Sequence, residues 1–311
     1  MRLHNTESAS NMKAFGARRA GSAIALPLVM LLPLLGGCET LDMGGFNILS
    51  TQQEIQLGEE LSAEIEEQKA VLDEESVQRY VQEIGQRLAQ QAPRQDVRYT
   101  FKVIDAPETV NAFALPGGYM YLYTGLMKLC ENEAELAGVM AHEIGHVVAR
   151  HHGERLTQQY GFDVLTRIIL GDDPRSTARI AANLAGTAGF MHFSREAERE
   201  ADRIAVELLW RAGYNPEAMI TFMDKMRREQ AAAGGQRAPA ILASHPPTEE
   251  RIHLLTQFIQ RYPSGERARR SPNADVYQRR ALEPLRAHLE ESRQPRQGGS
   301  ASWGAAPVGA S

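Results

Sequence analysis

Residues 131–148, ENEAELAGVMAHEIGHVV, read as one long helix whose apolar residues leave almost no face for solvent. Inside that run stand His142, Glu143 and His146. A buried helix gains nothing from three polar groups unless something satisfies them. Any fold open to this chain must therefore bring polar partners, or an ion, to this one helix.

The spacing says what kind of ion. Two histidines four residues apart lie on one helix face about one turn from each other. Two imidazole nitrogens placed so can reach one Zn²⁺ at roughly 2.0–2.1 Å. Glu143 is rotated about 100° from His142, where it reaches a water at such an ion rather than the ion itself. A purely structural zinc site has no use for such a base. Two histidines leave a catalytic zinc site one protein ligand short. One candidate is His152, at the last position of H-E-x-x-H-x-x-G-x-x-H, but Ala149 stands where that pattern needs a helix-breaking glycine. A helix running on through Ala149 turns His152 about 240° away from His146. His151 and His152 then read as polar residues near a helix C-terminus, where an imidazole suits the dipole. The other candidate is the pair Glu198 and Asp202 in SREAEREADRIAVELL, four apart beside an apolar stripe.

The rest of the chain divides into four parts. Arg18 and Arg19 precede AIALPLVMLLPLL, which ends in LGGC at Cys38. A basic flank, a short apolar run and small residues before the cut are a secretory leader, here residues 1–37 from Met1 or Met12. LGGC resembles the bacterial lipobox, which implies an acylated Cys38, a tether over residues 38–49 and an anchor in the lipid bilayer. Glu39 after the cysteine points toward the outer membrane. Residues 50–260 carry the folded domain: two amphipathic helices, a strand at VRYTFKVID, two extended segments joined at Pro116-Gly117-Gly118, then helices throughout. Ser194 is the expected N-cap of the helix that carries Glu198. Residues 261–311 are Arg-rich and low in complexity, and read as a tail. Cys130, with no partner once Cys38 is acylated, reads as a buried small hydrophobe. A net charge of −5 over 311 residues leaves no basic face for nucleic acid.

The pair H-E-x-x-H and E-x-x-x-D resembles the gluzincin metallopeptidases. With NAFALPGGYMYLYTGL, SREAEREADRIA and SHPPTEERI beside it, the chain resembles the HtpX and CAAX prenyl-protease family over roughly residues 50–260, in its periplasmic lipoprotein branch. The resemblance implies an α+β, predominantly helical, zincin-like domain with a small antiparallel sheet beside the H-E-x-x-H helix. It implies one Zn²⁺ per chain on His142, His146 and Glu198, with Asp202 orienting a ligating histidine and Glu143 as general base. Helical phase agrees, since Glu198 and Asp202 flank the buried stripe while Glu196 and Glu200 point about 200° away, toward solvent. His245 or Arg251 would stabilise an oxyanion. Asn111, Ala112, Phe113 and Ala114 would form an exposed edge that binds extended polypeptide as an added strand. The expected activity is endoproteolysis of misfolded or unassembled envelope proteins, with oligomerisation left open. The alternative is a latent or chaperone-like binding protein whose site is occluded, with LAGTAGFMHFS as the covering segment.

Overall fold

Alternation along three short strands builds a sheet with both faces buried. β1 (Thr100–Ile104) turns Phe101 and Val103 to one face and Ile104 to the other. β2 (Ala112–Ala114) places Ala112 and Ala114 against Phe113 in the same way, and β3 (Tyr119–Tyr123) places Met120 and Leu122 against Tyr121 and Tyr123. The order is β1-β3-β2, with β1 parallel to β3 and β2 antiparallel to it. The sheet is thus mixed rather than purely antiparallel, because the β1–β3 connection is a crossover while only β2–β3 is a hairpin. Gly117, at φ 78°, makes the turn between β2 and β3, a conformation that costs a side-chain-bearing residue.

A computed structural model describes residues 47–186, 192–232 and 239–293. The leader and Cys38 lie outside the described residues, as does the low-complexity end from residue 294. Among the described residues no helix is long and apolar enough to cross a membrane.

Helices cover both faces of the sheet. On one side, α1 (Thr51–Gln68) packs with α5 (His151–Tyr160), α6 (Phe162–Ile169) and α7 (Pro174–Leu184) around Leu57, Leu61, Tyr121, Leu156 and Ile180. On the other, α2 (Glu75–Ala89), α4 (Glu133–Val148), α8 (Arg195–Arg211), α9 (Glu217–Ala232) and α11 (Glu249–Ile259) close the larger core. Short helices α3 (Thr124–Leu129) and α10 (Ile241–Ser244) link these layers. Asn132 starts α4 by accepting a hydrogen bond from the Glu135 amide at 3.0 Å, and Ser194 starts α8 by accepting one from Ala197 at 3.1 Å. Gly145 is what lets α4 and α8 meet: a Cβ there would sit 2.7 Å from the Ala201 carbonyl oxygen.

The fold does not stop at residue 260. α12 (Ser264–Arg267), α13 (Ala274–Tyr277), a π turn at Gln278–Leu282 and α14 (Glu283–Arg293) continue it. Tyr277, Ala281, Leu282 and Leu285 are buried in the larger core, and the Tyr277 hydroxyl donates to the Met127 carbonyl at 2.6 Å. The arginines that read as tail composition clasp the domain. Arg270 lies 3.6 Å over the Trp210 ring, and Arg280 pairs with Glu83 at 2.8 Å. Cys130 is fully buried, and burial pushes its thiol pKa up.

Candidate metal centre

α4 and α8 each bring two side chains to one point. From α4, the Nε2 atoms of His142 and His146 come within 3.1 Å of each other. From α8, Glu198 lies 3.5 Å from the first and 3.4 Å from the second. Glu198 and Asp202 are 3% and 2% exposed, whereas the Glu196 and Glu200 side chains are 77% and 51% exposed. Helical phase therefore separates four chemically similar carboxylates into two pairs.

The loop after α10 adds a fourth donor. His245 puts Nδ1 2.8 Å from Glu198 Oε1 and 3.2 Å from His142 Nε2, while its Nε2 is 3.5 Å from Glu143 Oε1. One donor atom each from His142, His146, Glu198 and His245 lies within 4.8 Å of the other three. His245 thus stands among the converging donors. Arg251 is also engaged elsewhere. Its Nε and Nη2 donate to Asp202 at 2.9 and 2.8 Å, and its Nη1 lies 2.7 Å from Glu198. With its guanidinium committed to two carboxylates, Arg251 aligns Glu198 and Asp202, and it also lines a pocket beside Glu143.

Electrostatics suit a cation. Burial disfavours the charged form of His142, yet Asp202, 3.0 Å from its Nδ1, and Glu198 hold its pKa up to about 9. Burial would raise Glu198, but His245, His142 and His146 around it hold its pKa well below the usual carboxylate range. Burial raises Glu143, and both of its carboxylate oxygens are buried without a hydrogen-bond partner. A buried carboxylate with no donor is costly unless water or an ion completes it. Two imidazoles and a carboxylate with an unsatisfied carboxylate beside them fit a divalent metal of the zinc type.

The family model described as peptidase family M48 matches residues 75–259. This chain belongs to peptidase family M48. Its relatives include proteins named as a protease and as metalloendopeptidases. The beta-barrel assembly-enhancing protease of Escherichia coli (strain K12) is 33% identical over 222 residues, covering 68% of this chain and 45% of the relative. The mitochondrial metalloendopeptidase OMA1 of Schizosaccharomyces pombe is 29% identical over 180 residues, covering 58% of this chain and 52% of its own. The Arabidopsis thaliana OMA1 is 31% identical over 191 residues, covering 60% and 37%. The chain thus spans about half the length of the curated relatives it matches.

Two pockets flank Glu143 in the peptidase. One is walled by Asn111–Ala114, His152, Phe193 and His245. The other is mainly apolar and walled by Val139, Met219, Phe222 and Met223. β2 is the sheet edge beside the centre, but Ala112, Phe113 and Ala114 are only 2%, 7% and 1% exposed. Leu184, Gly186 and Phe193 line the same pocket as this edge. Phe193 also stacks on the His146 ring at 4.0 Å.

His151 and His152 differ most from their expected places. α4 ends at Val148, Arg150 takes φ 63°, and α5 starts at His151. Both histidines are therefore buried at a helix start instead of lying near a helix end. No glycine signals the break, because tertiary contacts hold it. Glu54, 1% exposed inside α1, binds Arg94 and Arg150, and Arg94 donates to the Val147 carbonyl at 2.8 Å. A local signal existed: Glu54 falls on the α1 face that also carries Leu57, Gly58 and Leu61.

Proposed function

We propose that the protein is a zinc-dependent endopeptidase of the bacterial cell envelope, anchored to the lipid bilayer through acylated Cys38, that cleaves misfolded or unassembled proteins. His142, His146 and Glu198 would hold the zinc, and Asp202 would orient His142 through its Nδ1. Zinc bound there supplies Lewis acidity and brings the pKa of a water toward about 7. Glu143 takes a proton from water and returns it to the leaving amine nitrogen. The observation that carries this reading is the unpartnered Glu143 carboxylate, buried beside four converging donors and open to a pocket on each side. β2 would pair with extended backbone, which gives broad preference for unfolded chains, and the apolar pocket would take a side chain next to the scissile bond. The relatives named as beta-barrel assembly-enhancing proteases support the envelope setting.

The test is degradation of unfolded casein with and without a chelator. Glu143→Gln should keep zinc while turnover falls about 10²–10⁴-fold; cleavage near the parental rate would refute the mechanism. Fractionation of Cys38→Ser checks the anchor, and unchanged membrane association would remove it.

A second reading is favoured by Phe193 stacked on His146 and by His245 lying 2.8 Å from Glu198. Phe193 lies over a ring of the centre and His245 takes up a donor position in it, as a latent or chaperone-like protein requires. A chain that holds zinc and binds unfolded protein without cleaving it would establish that reading.

A further inference from the structure

The zinc-centre reading leaves one ligand without an explained orientation. His142 has Asp202 behind it, but among the described residues no carboxylate stands directly behind His146. The atom that does is the Nδ1 of His151, 3.0 Å from the Nδ1 of His146. To offer a bare Nε2 toward Glu198 and His142, His146 must carry its proton on Nδ1 and donate it. A hydrogen bond between two ring nitrogens needs one bare partner, so His151 Nδ1 accepts and His151 carries its own proton on Nε2. That nitrogen lies 3.5 Å from Glu200 Oε2.

We propose that His151 and Glu200 form a directional relay that fixes the ring and tautomer of His146, making His151 a positioning residue for metal binding. The polarity runs one way, from the Glu200 carboxylate through the His151 Nε2 proton to the His146 Nδ1 proton. Glu198 and Glu200 are two residues apart on α8, so when one faces the centre the other stands at the surface. An imidazole at the start of α5 spans the gap that a shorter carboxylate behind His146 would leave. Phe193 supports the arrangement by stacking on His146 at 4.0 Å and lying 6.2 Å from the His151 ring. The long 3.5 Å contact and the exposure of Glu200 make it the weaker member. The break at Arg150 is what places His151 there; on a continued α4 it would face elsewhere.

The inference rests on the zinc reading, and its test separates the two. Zinc affinity of the purified chain is measured by competition with a chromophoric chelator, for the parent, His151→Leu, His151→Asn and Glu200→Gln. An asparagine Oδ1 occupies nearly the position of the histidine Nδ1 and can accept the same proton. His151→Leu should weaken zinc binding about 10–100-fold, with His151→Asn staying within about threefold of the parent and Glu200→Gln losing less than His151→Leu. Long-range ¹H–¹⁵N spectra of the zinc-bound parent should show the proton of His146 on Nδ1 and that of His151 on Nε2. Parental affinity in His151→Leu, an equal loss in His151→Asn, or a proton on His151 Nδ1 would overturn the proposal. Should His151→Leu fail to fold, the tautomers in the parent decide. A parent that binds no zinc overturns the metal reading and this proposal with it; a zinc-binding parent with an indifferent His151→Leu overturns this one alone.

Discussion

At the scale of single residues, the centre is decided by which atom of each side chain faces inward. Glu198 faces three imidazoles and an arginine, while His152, 3% exposed, turns its ring to the pocket beside β2, 5.7 Å from the His146 ring. Removing Glu198 leaves three histidines and Arg251 facing one another with one fewer negative charge. Glu198→Ala should therefore lose bound zinc and activity together. His152→Ala should retain zinc near one per chain. Metal analysis of the two purified variants checks this, and loss of zinc in His152→Ala alone would make His152 the third ligand.

The element that positions the site is the end of α4. A helix of this composition has no reason of its own to stop at Val148, since Ala149 is a good helix former and Arg150 pays roughly 1–2 kcal/mol to enter the left-handed region. What stops it lies elsewhere: Arg94 takes the Val147 carbonyl and Glu54 binds both arginines. Arg94 and Glu54 are almost wholly buried, 8% and 1% exposed at their side chains. Taking away one partner of such a pair leaves a buried charge uncompensated. Arg94→Leu should cost about 3–5 kcal/mol in urea unfolding. A loss below about 1 kcal/mol would mean that Arg150 alone neutralises Glu54.

For the whole molecule, the segment after residue 260 matters to stability. Tyr277, Leu282 and Leu285 each fill the larger core, at about 1.5–3 kcal/mol per buried apolar side chain. Together with the Tyr277 hydrogen bond and the Arg270 and Arg280 contacts, that approaches the 5–15 kcal/mol by which a domain is typically stable. A chain ending at residue 260 should lose its cooperative thermal transition or elute as an aggregate in size exclusion. A monomer with the parental Tm would show that the segment is dispensable.

Some of this was already legible in the residues. The i, i+4 spacing of His142 and His146, the rotation of Glu143, and the phase that buries Glu198 and Asp202 while exposing Glu196 and Glu200 are properties of one helix geometry, so local sequence determines them. The strand alternation and the Ser194 cap are local for the same reason. Tertiary structure alone decided the rest. His245 reaches the centre because a loop returns there some fifty residues after Glu198, and no periodicity records that approach. Arg251 turns to the carboxylates because their charge outbids solvent in a buried site. β1 pairs in parallel through a crossover, which strand patterning cannot distinguish from a hairpin. The arginines beyond residue 260 find rings and carboxylates that composition does not reveal. The break at Arg150 is the clearest case, since the groups that hold it come from Glu54 and Arg94, far away in the chain and close only once it has folded.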